Sequence, residues 1–162
     1  MPRVRQTAVP GAIFGIPRKD GKVVVGQVLE TWEWYPGIMC IAVFDCVTSL
    51  AEAIDLSVLP TSSVMSVTST ANAAITKRHW PALGSLPVLV DPRFSPHRKF
   101  AEAKYAGAMW HSSLIIEDLV NAYYGFSTCE PYPGRPGHLR SLLFPVDRGN
   151  PRAPDAIEGG LK

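Results

Sequence analysis

The chain has 162 residues, 46% hydrophobic and 19% charged, a composition that supports a real core and excludes a disordered chain. Sixteen basic and fourteen acidic residues leave a formal charge of +2, which gives no argument for a nucleic-acid or membrane surface. The length suits one domain, taken as residues 1–145, with the polar, Pro/Gly-rich residues 146–162 read as a loose tail.

In chain order, residues 12–16 read as a strand and residues 22–29 as a second, Val-rich one. Between them Pro17 and the pair Asp20-Gly21 give a hairpin signal. Residues 38–45 form a third strand, apolar on both faces and therefore expected to be interior and covered on both sides. These three should make an antiparallel meander. Ser49 and Glu52 stand at capping-box spacing before a short helix expected to run to about Leu56 and to be ended by Pro60. Residues 63–69 are β-branched and read as a fourth strand. Residues 71–80 are ambiguous, Pro81 with Gly84 marks a turn, and residues 86–90 suggest a further strand. A Pro- and Arg-containing surface loop covers 91–98, and 100–110 could be helical or extended. Residues 113–124 are a firmer helix, with Ile115, Ile116, Leu119, Val120 and Tyr123 on one stripe and Gly125 at its C′ position. A loop with three prolines leads to a short helical segment at 138–144. The expected class is α+β: a twisted antiparallel sheet begun by a three-strand meander, with helices packed on one face.

The charges are segregated along the chain. Residues 23–76 contain no Lys or Arg but hold Glu30, Glu33, Asp45, Glu52 and Asp55, whereas residues 77–104 carry six cations against Asp91 and Glu102. Two readings stand open: complementarity within the molecule, or a negative face offered to a basic partner. Cys40, Cys46 and Cys129 are odd in number and scattered, a pattern suited to a reducing cytosol, and Cys40 reads as a buried hydrophobe. Pro10 and Gly11 interrupt any signal-like stretch, and the longest apolar run, residues 38–44, is too short for a bilayer. A soluble, cytoplasmic protein is expected.

No phosphate-binding loop, dinucleotide fingerprint, zinc-protease helix or nucleophile elbow is present. His79, His97, His111 and His138 are spread widely, without the pairing a helical metal site requires, so no metal or cofactor is expected. A triad joining Cys46, Asp45 and a histidine would have to converge in space. The most unusual local feature is Trp32, Trp34 and Tyr35, between Glu30 and Pro36-Gly37. Alternation from Glu30 puts Trp32 and Trp34 on its face, with Glu33 and Tyr35 opposite. The rings either cap one end of the sheet or form a protein-binding hot spot. The candidate partner-binding residues are therefore Glu30, Trp32, Glu33, Trp34, Tyr35, Glu52 and Asp55.

Residues 11–17, GAIFGIP, followed by Asp20-Gly21 and by residues 25–29, VGQVL, resemble the opening hairpin of the immunity protein 26 family. Residues 80–84, WPALG, following Lys77 or Arg78, are similar to its Trp-Pro-x-x-Gly segment, with a vaguer likeness at 138–143. The two blocks stand in the family's order and span roughly the first ninety residues. The resemblance implies an immunity protein of a bacterial polymorphic-toxin or contact-dependent inhibition system. Such a protein binds a cognate toxin C-terminal domain, a nuclease being one candidate class, and neutralises it stoichiometrically without catalysis, membrane or direct nucleic-acid contact. The chain departs from the family picture in its Trp32 to Tyr35 cluster and its Pro-rich tail. The alternative is a small enzyme or nucleic-acid-binding module whose site is assembled in space.

Overall fold

Two apolar segments joined by an Asp-Gly turn, the second of them rich in Val, fold back on each other as β1 (Ala12–Pro17) and β2 (Val23–Thr31). The turn closes through the Arg18 N–H, which donates to the Lys22 carbonyl at 2.9 Å, with Gly21 in the left-handed region at φ +84°. The computed structural model describes residues 6–145; the expected tail at 146–162 lies outside the described residues. β3 (Ile38–Thr48) and β4 (Val64–Ala71) continue the meander, and β5 (Ala82–Ser85) adds to the free edge of β1. The resulting antiparallel sheet has the order β4-β3-β2-β1-β5, within an α+β architecture as expected.

The apolar residues alternate along β1 to β3 and fill both faces. Phe14, Ile16, Val24, Val28, Met39, Ile41 and Val43 pack with Ile116 and Val120 of helix α2 (Ser113–Tyr123) and with Ala74 and Ile75 of the one-turn helix α1 (Ala73–Thr76). Trp80 completes this layer, stacked on Phe14 at a centroid distance of 5.3 Å. Gly26 is required beneath that stack, since a Cβ there would lie 2.6 Å from the Phe14 ring. Helix α2 starts at the Ser112 cap and ends before Gly125 at φ +80°, and α3 (His138–Ser141) packs against it through Leu139. The opposite face, with Ile13, Val25, Leu29, Cys40, Ala42 and Phe44, is covered by Leu59, Leu89 and Val90.

Three local expectations are corrected. No helix forms at 49–56: Ser49 only closes a turn, and it is Asp55 that caps a 3-10 turn, Leu56–Thr61, by accepting from the Ser57 N–H at 2.9 Å. Pro60 lies inside that turn rather than after it. A single capped turn in this segment does not repay helix nucleation. The residues after Pro81, Gly84 among them, are the fifth strand rather than a turn. Residues 86–90, expected as a strand, spend their backbone on the side chain of Gln27 instead. Its amide donates to the carbonyls of Leu86 at 3.1 Å and Pro87 at 3.0 Å and accepts from the Leu89 N–H at 2.8 Å. Gln27 is fully buried, and its side chain orders the segment by taking up these three backbone groups.

Candidate partner-binding site

The site begins with a shift of register. Between Val28 and Glu30 the pairing of β2 with β3 slips by one residue, so that Glu30 rather than Leu29 stands opposite Cys40. Cross-strand partners share a face, so the bulge moves Glu30 onto the Cys40 face of the sheet. The chain arriving there comes from Gln27's anchor. Asp91 caps one 3-10 turn, Pro92–Phe94, and Ser95-Pro96 opens a second, Pro96–Ala103. That second turn places His97 and Arg98 against Glu30. Arg98 Nη2 donates to Glu30 Oε2 at 2.7 Å and Nε to Oε1 at 3.2 Å, and His97 Nε2 lies 3.0 Å from Oε1. Burial raises the Glu30 carboxyl, but the Arg98 hydrogen bond and charge outweigh it and hold the group below its ordinary pKa. Burial also lowers the His97 pKa, opposed by Glu30 and assisted by Arg98, so the imidazole is neutral at neutral pH.

Beyond Glu30 the β2–β3 connection is a tight turn. The Trp32 N–H donates to the Ile38 carbonyl, the Ile38 N–H to the Tyr35 carbonyl, and the Asn72 amide holds the Pro36 carbonyl from β4's end. Trp32 is 7% exposed and packs on His97 at 5.1 Å. Trp34, 39% exposed, lies over Trp32 at 5.2 Å and against Tyr105 at 3.8 Å. Lys104 and Tyr105 both have positive φ, 52° and 65°, which turns the chain sharply at the end of the 3-10 segment and brings the Tyr105 ring back over the cleft. Glu30, Trp32, Glu33, Trp34, His97, Arg98, Lys104 and Tyr105 thus line one open cleft of about 860 Å³.

The three rings of the aromatic cluster are placed differently. Trp32 caps the sheet end as a buried ring, while Trp34 and Tyr35 (58% exposed) project as surface aromatics beside exposed Glu33. Trp32 and Trp34 share the Glu30 side as alternation suggests, and Glu33 also borders the cleft, because the strand has ended and the turn sets its direction. Glu52 and Asp55 are exposed but line no part of this cleft: Glu52 follows the far end of β3, and Asp55 is occupied as a cap. His97, Arg98, Lys104 and Tyr105 were not singled out from the sequence. The signal available for them is the pair Asp91-Pro92 and Ser95-Pro96, each a capping residue before a proline at a helical first position. A separate exposed apolar group, Met109, Trp110 and Leu114, precedes and begins α2.

The constellation of Cys46, Asp45 and a histidine is not assembled. Asp45 accepts from the hydroxyls of Tyr124 at 2.5 Å and Tyr123 at 3.3 Å, and burial pushes the Cys46 thiol up, away from a reactive thiolate. Cys40, fully buried, is raised to about 12 by the same cause. His111 and His138 meet with ring centroids 5.5 Å apart, yet among the described residues no three ligand-type side chains converge on a metal position. Among them, too, no helix is long and apolar enough to cross a membrane.

Comparison with known proteins gives no match among curated proteins or solved structures. Comparison with protein families matches residues 9–104 to the family described as Immunity protein 26. That span covers more than half of the chain and takes in the first hairpin, the buried Trp80 turn and the cleft as far as Lys104. The chain belongs to the immunity protein 26 family.

Proposed function

We propose that this protein binds the C-terminal toxin domain of a bacterial polymorphic-toxin or contact-dependent inhibition system in the cytoplasm and neutralises it one to one, without catalysis. The observation that carries the reading is the family match over residues 9–104. The geometry supports it. Stoichiometric inhibition favours a preformed surface, because ordering a loose one would subtract from affinity. The end of the β2–β3 hairpin offers such a surface, with Trp34, Tyr35 and Glu33 exposed on a turn whose base is held by Trp32 and the Glu30–Arg98 pair. Large rings beside a carboxylate are enriched at the centres of protein interfaces. Glu52 and Asp55 add a second acidic patch able to steer a basic partner. A nuclease fits as the target class, since its phosphate-binding cleft must be basic.

The test is co-expression with the C-terminal domain encoded by the neighbouring large gene. Protection of growth and a one-to-one complex on size exclusion are expected. Absence of both the complex and the protection overturns the reading.

A further inference from the structure

Among the described residues five buried side-chain polar atoms lack a partner, and two of them are ring nitrogens of residues that line the cleft. Trp32 Nε1 and His97 Nδ1 are both buried and make no hydrogen bond, although each ring is more than nine-tenths buried and lines the cleft. A buried polar atom left so is costly, because it has given up water without gaining a replacement. Their chemistry is fixed. The indole nitrogen can only donate. His97 Nε2 faces a carboxylate oxygen at 3.0 Å and so carries the imidazole proton, which leaves Nδ1 as a bare acceptor. One donor and one acceptor, on rings whose centroids are 5.1 Å apart, are the complement of a group bearing one of each. An amide has that pattern: a carbonyl and an N–H held in one plane, each reaching a partner at about 2.9 Å.

We propose that this cleft receives a single amide group of the toxin, an Asn or Gln carboxamide or a main-chain peptide unit, whose carbonyl accepts from Trp32 Nε1 and whose N–H donates to His97 Nδ1. The proposal rests on the toxin-binding reading for the identity of the partner, and on the two orphaned atoms for its chemistry. Charge is not what the two nitrogens read, because the carboxylate nearest them, Glu30, is already paired with Arg98. Access is by the rings packed on the pair: Trp34 over Trp32, and Tyr105 facing His97 at 6.1 Å. Both belong to turns rather than to the sheet. Tyr105 sits on two successive left-handed residues, a backbone state that non-glycine residues hold at a cost and can leave. Entry of the amide therefore swings Trp34 and Tyr105 outward and places them around the incoming segment.

Two arms of one experiment test this. In the first, the ¹⁵N-labelled full chain is titrated with N-methylacetamide while the indole and imidazole nitrogens are followed by NMR. A saturable shift confined to Trp32 Nε1 and His97 Nδ1 is expected, and it should be lost with N,N-dimethylacetamide, which lacks the N–H. No shift at these nitrogens, or equal shifts at every indole, overturns the amide assignment. In the second, the neighbouring gene's C-terminal domain is bound to the wild type and to Trp32→Phe, which keeps an aromatic ring and removes the donor. The variant should bind about tenfold more weakly, the loss of one buried hydrogen bond. Equal affinity overturns the amide proposal and leaves the toxin-binding reading standing. Failure of the wild type to bind overturns that reading, and the probe titration then decides the chemistry of the cleft alone. Should Trp32→Phe not fold, the indole resonance of the wild-type complex serves: a downfield, exchange-protected Trp32 supports the proposal and an unmoved one refutes it.

Discussion

Truncating Trp80, Trp34 and Tyr35 in turn separates the rings that hold the fold from those offered to a partner. Trp80 is 0% exposed, stacked on Phe14, with its indole N–H donating to Glu117 at 2.9 Å. A fully buried indole removes up to about 250 Å² from water, worth about 6 kcal/mol at about 25 cal/mol per Å². Partial collapse of the cavity and the surface kept by Ala bring the expected loss in Trp80→Ala to about 3–5 kcal/mol. Trp34, 39% exposed, keeps its contacts with Trp32 and Tyr105. Since Trp34 and Tyr105 stand on turns that can close over the gap, Trp34→Ala should cost about 1–2 kcal/mol of stability. Tyr35, 58% exposed, should cost under about 1 kcal/mol. In affinity the order inverts: Trp34→Ala and Tyr35→Ala each lose about 2 kcal/mol or more, and Trp80→Ala loses nothing once the folded fraction is accounted for. Urea denaturation beside titration with the toxin domain measures both. A Trp34 or Tyr35 variant as destabilised as Trp80→Ala yet unimpaired in binding, or a Trp80→Ala loss below about 1 kcal/mol, would refute the assignment.

Gln27→Met should cost about 2–4 kcal/mol, because it strands the buried Leu89 N–H, worth about 1–3 kcal/mol, and takes a partner from the part-buried carbonyls of Leu86 and Pro87. Hydrogen exchange at Leu89 should rise together with the fall in urea midpoint. Lowering the pH should destabilise the fold: burial holds His97 and His111 below 6.5, against Glu30 and with Arg98 for the first, and with His138 and Arg135 for the second. The unfolded chain then takes up protons first, so stability is full above about pH 7 and is lost as pH falls through about 6.5, read as a lower urea midpoint at about pH 5.5 than at about 7.5. The two cleft carboxylates should part company. Glu33→Lys slows association several-fold at low salt and less at 0.1 M, where the Debye length is about 10 Å, with little change in stability. Glu30→Gln, which breaks the Arg98 pair, lowers the denaturation midpoint instead.

The sheet was legible because its signals are local. β-branched alternation, the Asp-Gly turn and an apolar run on β3 place four strands within three residues of where they lie. Helix α2 announced itself by its stripe and its glycine. What escaped were elements fixed by distant partners. Residues 86–90 carry strand propensity but are claimed by a side chain some sixty residues earlier in the chain, and β5 takes the free edge of β1 despite a proline before it and a glycine within it. Ser49 and Glu52 satisfy a capping rule that the next cap, Asp55, overrides.

The site divides along the same line. Its exposed half, Glu33, Trp34 and Tyr35, could be named because composition alone makes such a cluster odd. Its other half, buried His97 with half-exposed Arg98 and Tyr105, is brought there by two proline-initiated turns and a left-handed pair, none of which has a periodicity to detect. The charge segregation is the link between the halves. An acidic stretch and a basic stretch in sequence become, at Glu30, one ion pair that spends a carboxylate on the molecule itself. Under the proposed function, steering of a partner is left to Glu33, Glu52 and Asp55, and recognition inside the cleft to hydrogen bonding. A partner selected by attraction alone would tolerate many acidic arrangements. One that must also supply a donor and an acceptor to Trp32 and His97 is discriminated by the cost of leaving them unpaired, which is the larger penalty in a buried site.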